Sequence, residues 1–386
     1  MSTPDLKVSV DEFTLVLMPS EKIDCMHWRV KLYNTIEKFI ELSKLENLFG
    51  KLLPAVDKIQ QGYTCGLTVA DRPWHLMISY HEHFPNMGIC VRFSAQAYAA
   101  YVQEYKKVYS EEINIIGFLN MVQNVLYDTR LSRIDFVADY KNYPNPFNPT
   151  GHLSPNVIYE QIKKGRCFIR NREDKQTIRT LSSIEKNGAV ETFYAGSRKG
   201  NVNGFLRCYD KRLEQIQTYG TQYAKAVACD SWVRFEAVFK GKYAHDITTQ
   251  LLRDVHSDME LQRLIAKHIT DKYRFYDSHT EDVTSFTNAL LGIAVKSTVD
   301  ALTRPSSRDN SLKQSIDYLK KNSGLFSVLY KVFNIWGNSA EEDLLEYLYK
   351  AYKADYKPEA HISRDIRIWL KNHKKELSQQ KLEDSL

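Results

Sequence analysis

Tyr194 lies in the stretch TFYAGSRKG, and a second basic stretch, FLRCYDK, follows closely along the chain. A phenol that attacks a phosphodiester needs positive charge to hold the phosphate, a metal ion to polarise its oxygens and help in losing its proton. Arg198 and Lys199, then Arg207 and Lys211, supply the positive charge. Tyrosines on strands more often pack in a core or in a cross-strand pair. Tyr194 is therefore a candidate nucleophile, with a packed strand residue as the alternative.

Three carboxylates lie in runs that alternate as strands do. Asp135 and Asp139 stand four residues apart in LSRIDFVADY, so they face the same side of a strand, and Glu236 lies in the strand-like run WVRFEAVF. Carboxylates that meet on one sheet face bind Mg²⁺ or Mn²⁺, which are hard cations that favour oxygen ligands. The alternative is that these acids form ion pairs with Arg133 and Arg234. Spacing alone does not decide between the two.

Other motifs with chemical meaning are weak or missing. His81 and His83 have the spacing of two ligands on one strand face, but the neighbouring PNMG marks a hairpin end, so we expect an exposed loop. The chain has no GxxxxGK[ST] loop, no GxGxxG after a strand and no HExxH motif. The sequence therefore does not favour an ATPase, a dinucleotide-dependent enzyme or a zinc protease of the zincin class. Its six cysteines contain no CxxC pair and are typical of reduced thiols.

Positive charge is concentrated in one part of the chain. Residues 162–242 hold 17 Lys and Arg against 8 Asp and Glu, an excess larger than the net +6 of the whole sequence. Such a field suits a polyanion such as nucleic acid, although a solvated basic face has the same composition. No run approaches the roughly 18 apolar residues of a membrane span, and MSTPDLKVSVDEF lacks the pattern of a secretory signal, so we expect a cytoplasmic protein with no membrane partner.

The elements that must position these residues change in character along the chain. Short β-rich runs and a few helical patterns fill residues 1–242, which predicts an α+β fold with a mostly antiparallel sheet and flanking helices. After Gly241 long helical patterns follow, interrupted by the polar stretch TRPSSRDNSL. We therefore predict one domain over residues 1–242, which carries all the candidate site residues, and a helical C-terminal region over residues 243–386.

Three stretches, SRIDFVADY, TFYAGSRKG with FLRCYDKRLEQ, and VRFEAVFKG, resemble in order and separation the Rep_trans family. This family contains rolling-circle plasmid replication initiators of Gram-positive bacteria and related relaxases of integrative conjugative elements. Its members carry arginine-x-aspartate with a second aspartate four residues on, then threonine-x-tyrosine-x-glycine, arginine-x-tyrosine-x-lysine and arginine-x-glutamate. The resemblance spans Leu131 to Lys240, and the fold assignment extends back to Val8. Between Arg198 and Arg207 the chain reads KGNVNGFL, a small insertion relative to the family.

The resemblance implies nicking and joining of single-stranded DNA at an origin that is usually extruded as a hairpin. Tyr194 matches the catalytic tyrosine of the family, which attacks the phosphorus, stays linked to the 5′ phosphate and frees a 3′ hydroxyl. Asp135, Asp139 and Glu236 match the carboxylates that hold or support a Mg²⁺ or Mn²⁺ ion. Tyr209 matches an aromatic residue of the basic block, for which we expect a structural role.

The resemblance also implies where the DNA phosphates and the protein partners bind. We expect phosphate contacts from Arg198, Lys199, Arg207, Lys211 and Arg234. Expected partners are the origin DNA, a host helicase and a second copy of the chain in a homodimer. The helical region 243–386 would serve origin binding, dimerisation or contact with the helicase.

Three functions are compatible with this sequence. The first is initiation of plasmid rolling-circle replication by a metal-dependent tyrosine nickase at the double-strand origin. The second is a relaxase of an integrative conjugative element that nicks a transfer origin. The third is a DNA-binding protein of the same fold without cleavage, against which the presence of Tyr194 and all three carboxylates argues.

Overall fold

The computed structural model describes residues 3–20, 25–72, 74–148, 150–172, 176–199, 202–295, 323–356 and 364–379, with residues 297, 302, 312, 316, 319, 320 and 381 as single positions. The contacts between residues divide the chain into two compact units, Met1–Thr303 and Arg304–Leu386. All of the candidate site residues lie in the first unit.

The first unit is built on one large antiparallel sheet. In the described part of the chain its strand order is β2-β3-β4-β5-β1-β6-β11-β10-β9-β8, and β7 and β12 form a separate pair. The strands are β1 (Asp5–Pro19), β2 (Leu53–Pro54), β3 (Cys65–Thr68), β4 (Leu76–Tyr80), β5 (Ile89–Phe93), β6 (Tyr127–Lys141), β7 (Cys167–Arg170), β8 (Leu181–Lys186), β9 (Ala189–Ala195), β10 (Gly204–Asp210), β11 (Trp232–Lys240) and β12 (Arg274–Asp277). This sheet and its helices confirm the predicted α+β fold.

The helices of the first unit flank this sheet, and several begin at a side-chain cap. Ser94, Ser154 and Ser257 each accept a hydrogen bond from a backbone N–H of the first turn, which satisfies one of the donors that a helix start leaves without a partner. The helices are α1 (Cys25–Ser43), α2 (Leu45–Phe49), α3 (Ala95–Tyr109), α4 (Ile115–Met121), α5 (Pro155–Lys163), α6 (Lys211–Gln217), α7 (Tyr223–Val227), α8 (Lys242–Arg253), α9 (Asp258–Lys272) and α10 (Ser285–Ala294).

The two faces of the central strands differ in chemistry because successive side chains point to opposite sides. On one face Phe136 of β6 and Phe239 of β11 are fully buried and pack against each other and against His268 of α9. Burying a phenylalanine stabilises the fold by about 1.5–3 kcal/mol, so this face forms the core. The other face carries Asp135, Asp139, Tyr194, Arg207, Arg234 and Glu236.

The division between the units differs from the predicted domain boundary at residues 242 and 243. Helices α8 to α10 belong to the first unit because they cover the apolar face of its sheet. The backbone N–H of Leu131 donates to the Thr248 hydroxyl at 2.9 Å, and the Tyr140 hydroxyl donates to the Phe286 carbonyl at 2.8 Å. The helical pattern after Gly241 therefore starts inside the sheet domain.

The second unit contributes three described helices, α11 (Leu325–Trp336), α12 (Asn338–Asp355) and α13 (Arg364–Leu377). Gly337, at φ 88°, separates α11 from α12, and glycine adopts this left-handed conformation more readily than other residues. In the described residues no helix is both long and apolar enough to cross a lipid bilayer. The five cysteines whose side chains are described are free thiols, as expected.

Candidate active site

The strand register aligns the candidate nucleophile with one of the carboxylates. Tyr194 of β9 pairs with Arg207 of β10, Arg207 pairs with Glu236 of β11, and Glu236 pairs with Val137 of β6. Directly paired residues point to the same face, and neighbouring strands lie about 4.8 Å apart, so the Cα atoms of Tyr194 and Glu236 are roughly 10 Å apart. We call this line of side chains the central row.

The other two carboxylates lie beside the central row on the same face. Asp135 and Asp139 each stand two residues from Val137, and they pair with Val238 and Arg234 of β11. Because the side-chain period of a strand is two, both acids point to the face that carries Tyr194 and Glu236. This is the face opposite to the core.

The surroundings of Tyr194 leave its phenol accessible. Its side chain is half-buried, the guanidinium carbon of Arg198 lies 4.2 Å from its ring centroid, and the ring of Phe205 lies 6.3 Å away. Among the described residues, none forms a hydrogen bond with the Tyr194 hydroxyl. A tyrosine packed only for stability is normally buried with its hydroxyl bonded, so this environment favours the reactive interpretation of Tyr194.

Tyr209 has a different environment, which fits the structural role expected for it. It is 8% exposed, and burial raises its pKa. Its ring contacts the guanidinium of Arg207 at 4.7 Å and the ammonium of Lys211 at 5.7 Å. A buried phenol of raised pKa is a poor nucleophile because it resists losing its proton.

Asp135 is ion-paired with Arg133, which was one of the two alternatives that the spacing left open. Its carboxylate accepts hydrogen bonds from Arg133 Nε at 2.9 Å and from Arg133 Nη2 at 2.5 Å. Arg133 Nη1 also lies 3.1 Å from Glu12. The carboxylate of Asp135 is 1% exposed, so this pair is shielded from solvent.

Asp139 and Glu236 also have arginine partners. Arg234 donates to Asp139 from Nε and from Nη2, both at 2.7 Å, and Trp232 Nε1 donates to the same carboxylate at 2.8 Å. Arg234 Nη1 donates to Asp11 at 2.7 Å. Glu236 accepts a hydrogen bond from Arg207 Nη2. Each predicted metal ligand is therefore bonded to a guanidinium.

Burial and nearby negative charge raise the pKa of two of these acids. Burial, reinforced by the nearby charge of Glu236, raises the pKa of Asp135 to about 7, although Arg133 acts in the opposite direction. Burial also raises the pKa of Glu236 against the influence of Arg207. A positive charge placed between these carboxylates would favour their ionised forms.

A divalent cation such as Mg²⁺ or Mn²⁺ needs several oxygen ligands that converge on one point. In the described part of the chain no three histidine, cysteine or acidic side chains converge as metal ligands do. Asp139 already accepts three hydrogen bonds, which fits a structural role. Asp135 and Glu236 offer carboxylate oxygens of the type that Mg²⁺ and Mn²⁺ prefer, and their mutual repulsion would be relieved by a cation. These two residues fit the ion better than Asp139 does.

The expected phosphate contacts fall into two groups. Arg198 and Lys199 are exposed, and the Arg207 side chain is 37% exposed, so their cationic groups can reach a bound anion. Arg234 is 4% exposed, and its hydrogen bonds to described residues all go to carboxylates. Lys211 is 10% exposed and lies 2.9 Å from Glu214. Arg234 and Lys211 are thus held in internal ion pairs, and we do not retain them as phosphate contacts.

Sequence reasoning missed three charged residues of this face. Asp11 and Glu12 lie at an irregularity of β1, where the pairing with β6 shifts between Val10 and Phe13. Arg92 of β5 donates to Glu12 from Nε at 3.2 Å and from Nη2 at 3.0 Å. The pattern that could have identified Asp11 and Glu12 is the pair of adjacent acids inside the alternating apolar run VSVDEFTLVL. Two consecutive acids in such a run indicate a β-bulge, which allows both side chains to point away from the core.

The two sequence comparisons differ in outcome. The Rep_trans family, described as replication initiation factors, matches residues 129–347, which include the three carboxylates and Tyr194. No curated protein matches the chain.

The fold is shared with a solved protein. The structure described as the rolling circle replication initiator protein from Geobacillus stearothermophilus is similar to this chain, with a TM-score of 0.53 and 17% sequence identity. The similarity covers 75% of this chain and 97% of that one. Because the family match spans more than half of the sequence and includes the whole central row, the chain belongs to the Rep_trans family of replication initiation factors.

Proposed function

We propose that this protein initiates plasmid rolling-circle replication by nicking and rejoining one DNA strand at the double-strand origin, with Tyr194 as the nucleophile. The family match supports replication initiation, and the fold is shared with a protein named as a rolling circle initiator. The observation that carries the proposal is the central row, in which a half-buried tyrosine lies beside Arg207 and faces the same side as Glu236.

The nicking step is a transfer of the phosphodiester to the phenol. The Tyr194 oxygen forms a bond to phosphorus, the bond from phosphorus to the 3′ oxygen breaks, and the proton lost by the phenol is balanced by the one gained by the 3′ oxygen. Arg198 and Arg207 flank the tyrosine and would hold the phosphate and stabilise the charge that develops on its oxygens. The released 3′ hydroxyl primes synthesis, and the reverse reaction rejoins the strand.

Within the same proposal, Asp135 and Glu236 would hold a Mg²⁺ or Mn²⁺ ion. When bound, this ion neutralises charge on the phosphate oxygens. Direct binding of Mn²⁺, measured by electron paramagnetic resonance, tests the assignment independently of activity. Asp135→Asn and Glu236→Gln should each weaken Mn²⁺ binding about tenfold or more, whereas Asp11→Asn, an acid on the same face, should not. Equal binding by all variants would remove these residues as ligands.

A host helicase, a homodimer and a cytoplasmic location are further parts of the proposal. A 3′ hydroxyl supports continued synthesis only when the duplex ahead of it is opened. The sequence contains no GxxxxGK[ST] nucleotide loop, which supports a separate helicase as the partner. Plasmid DNA as the substrate supports action in the cytoplasm, and an origin hairpin would present the nick site as a single strand.

The decisive experiment looks for the covalent intermediate. The nick is first mapped by run-off sequencing on the DNA that carries the gene, and a labelled single-stranded oligonucleotide spanning it is incubated with the full chain and Mn²⁺ or Mg²⁺. Wild-type protein and Tyr209→Phe should form a denaturant-resistant adduct, and Tyr194→Phe should not. Phenylalanine keeps the ring beneath Arg198, so the comparison isolates the hydroxyl.

Two results would contradict the proposal. An adduct that survives Tyr194→Phe but is lost in Tyr209→Phe would assign the nucleophile to Tyr209. Salt-sensitive binding of the oligonucleotide with no adduct from the wild-type protein would favour a DNA-binding protein without cleavage.

A further inference from the structure

Lys240, the last residue of β11, places a further cation on the face of the sheet that carries the nucleophile. It stands four residues after Glu236 and pairs with Arg133 of β6, so its side chain points to the same side as Tyr194. The nicking chemistry proposed above makes no use of this lysine.

The ring of Phe205 lies next to both the nucleophile and this lysine. Phe205 of β10 pairs with Val238, two residues before Lys240. The centroid of its ring lies 6.3 Å from that of the Tyr194 ring and 5.1 Å from the ammonium nitrogen of Lys240. Each of these distances is close to the spacing of successive phosphates along an extended strand. A strand whose phosphate is held at Tyr194 can therefore bring a neighbouring phosphate to Lys240.

The ammonium of Lys240 differs from the arginines of this face in its partners. Arg133, Arg207 and Arg234 each donate to at least one carboxylate. Lys240 is half-buried, and its ammonium forms no hydrogen bond and no ion pair with any residue that the structure describes. The charge of the arginines is thus partly neutralised within the protein, whereas the charge of Lys240 is available to a ligand.

The electrostatic surroundings of Lys240 favour an anion as that ligand. Partial burial, reinforced by the nearby charge of Arg133, lowers the pKa of Lys240, although Asp135 acts in the opposite direction. The ammonium has lost part of its water and is repelled by a second cation, and both effects disfavour its charged form. A bound anion would replace the lost water and offset this repulsion.

We propose that Lys240 binds the phosphate adjacent to the scissile one, so that the single strand runs from Tyr194 past Phe205 to Lys240. The inference rests on the proposed nicking function and deepens it, because it adds a second phosphate site and gives the path of the strand across the sheet. A lysine ammonium is a point charge with three rotatable donors, which suits a phosphate oxygen of any orientation. Such a contact positions the strand without reading its bases.

The test removes one phosphate charge at a time. A single-stranded origin oligonucleotide is prepared in versions that each carry one neutral methylphosphonate, and equilibrium binding to Tyr194→Phe is measured. Two neighbouring positions should each lower the affinity about tenfold, the size expected for a hydrogen bond to a charged group. Adding Lys240→Met should abolish the loss at one position, and adding Arg198→Met should abolish it at the other. Lys240→Arg keeps the charge and should keep both losses.

Lys163→Met is the matched control. The ammonium of Lys163 lies 5.2 Å from the ring of Tyr159, and Tyr159 packs against Phe193 on the core face of the sheet. This variant should leave both losses unchanged. Lys240→Met should lower the urea midpoint no further than Lys163→Met does, because each variant loses a cation–ring contact of similar length. It should also reduce the slope of log affinity against log salt by about 0.7, the value of one phosphate contact on a single strand.

Binding to Tyr194→Phe separates this inference from the nicking proposal because it requires no cleavage. If the expected pattern appears while wild type forms no adduct, the phosphate site stands and the nicking proposal fails. Both losses persisting in Lys240→Met would overturn the assignment. Lys240→Met and Arg198→Met acting on one and the same phosphate, or on phosphates that are not neighbours, would also overturn it. Displacement of the strand by inorganic phosphate at an equal concentration of phosphate groups would assign the site to a free anion instead.

Discussion

Replacing Arg234 by methionine tests whether this arginine supports the fold or contacts DNA. Its guanidinium donates to Asp139 twice and to Asp11 once, each at 2.7 Å, and its side chain is 4% exposed. Methionine has a similar length but no charge, so Arg234→Met leaves two carboxylates without their cation. The strands β1, β6 and β11 that carry these groups form the centre of the sheet.

The expected size of the effect follows from the burial of the three groups. Removing one partner of a buried ion pair costs about 3–5 kcal/mol, because the remaining charge stays desolvated. Asp139 retains the hydrogen bond from Trp232, and the Asp11 side chain is 20% exposed, so both carboxylates keep some compensation. We therefore expect the lower end of the range, about 3 kcal/mol in the free energy of unfolding.

Urea unfolding measures this loss when it is followed by hydrogen exchange of peptides from β6 and β11, which report on the first unit alone. With a urea dependence of about 3 kcal/mol per M, the midpoint should fall by about 1 M. Arg198→Met is the matched control, because Arg198 is exposed over the Tyr194 ring. It should cost at most about 1 kcal/mol, the value of an exposed cation–π contact.

The salt dependence of DNA binding gives the opposite expectation for the two variants. Arg198→Met should reduce the slope of log affinity against log salt by about 0.7, the contribution of one phosphate contact on a single strand. Arg234→Met should leave the slope unchanged. A small shift in the urea midpoint for Arg234→Met, together with a slope reduced by about 0.7, would show that Arg234 contacts phosphate and would refute this reasoning.

Two further predictions concern the same face. The pKa of Asp135 in the folded protein, about 7, lies above its ordinary value of 3.8, so the stability that this carboxyl contributes is complete below about pH 4 and is lost as the pH rises through 7. Asparagine does not titrate, so Asp135→Asn should gain stability relative to wild type as the pH rises from about 4 to 7. A difference in urea midpoint that stays constant over this range would contradict the prediction. In Gly196→Ala the added Cβ meets no atom closer than 3.5 Å, but alanine must adopt φ 97°. The backbone strain should lower the free energy of unfolding by about 1–2 kcal/mol and reduce adduct formation. An unchanged urea midpoint would count against this prediction.

Much of the fold could be predicted because local periodicity carries it. The alternation in LSRIDFVADY placed Asp135 and Asp139 on one face and Phe136 on the other, and the structure has this arrangement. Short β-rich runs between turn signals indicated an antiparallel sheet. The domain boundary could not be predicted in the same way, because an amphipathic helix such as α8 has the same sequence pattern whether it covers a sheet or belongs to a separate helical bundle.

The partners of each charged group were not predictable from spacing. Arg234 and Arg198 have the same chemistry, yet one is held between two acids and the other lies exposed over a ring. The acids that bind Arg234 come from β1 and β6, and Asp11 is 223 residues away along the chain. Only the strand order brings such distant residues into contact.

The sequence by itself determined the residue types of the site, the face on which each strand presents them and, through three short stretches, the family. These properties depend on local periodicity and on the order of motifs along the chain. The tertiary structure decided that β9, β10 and β11 lie side by side, so that Tyr194, Arg207 and Glu236 form one row. It also decided which charges are buried in pairs and which remain exposed, because burial depends on every neighbouring strand.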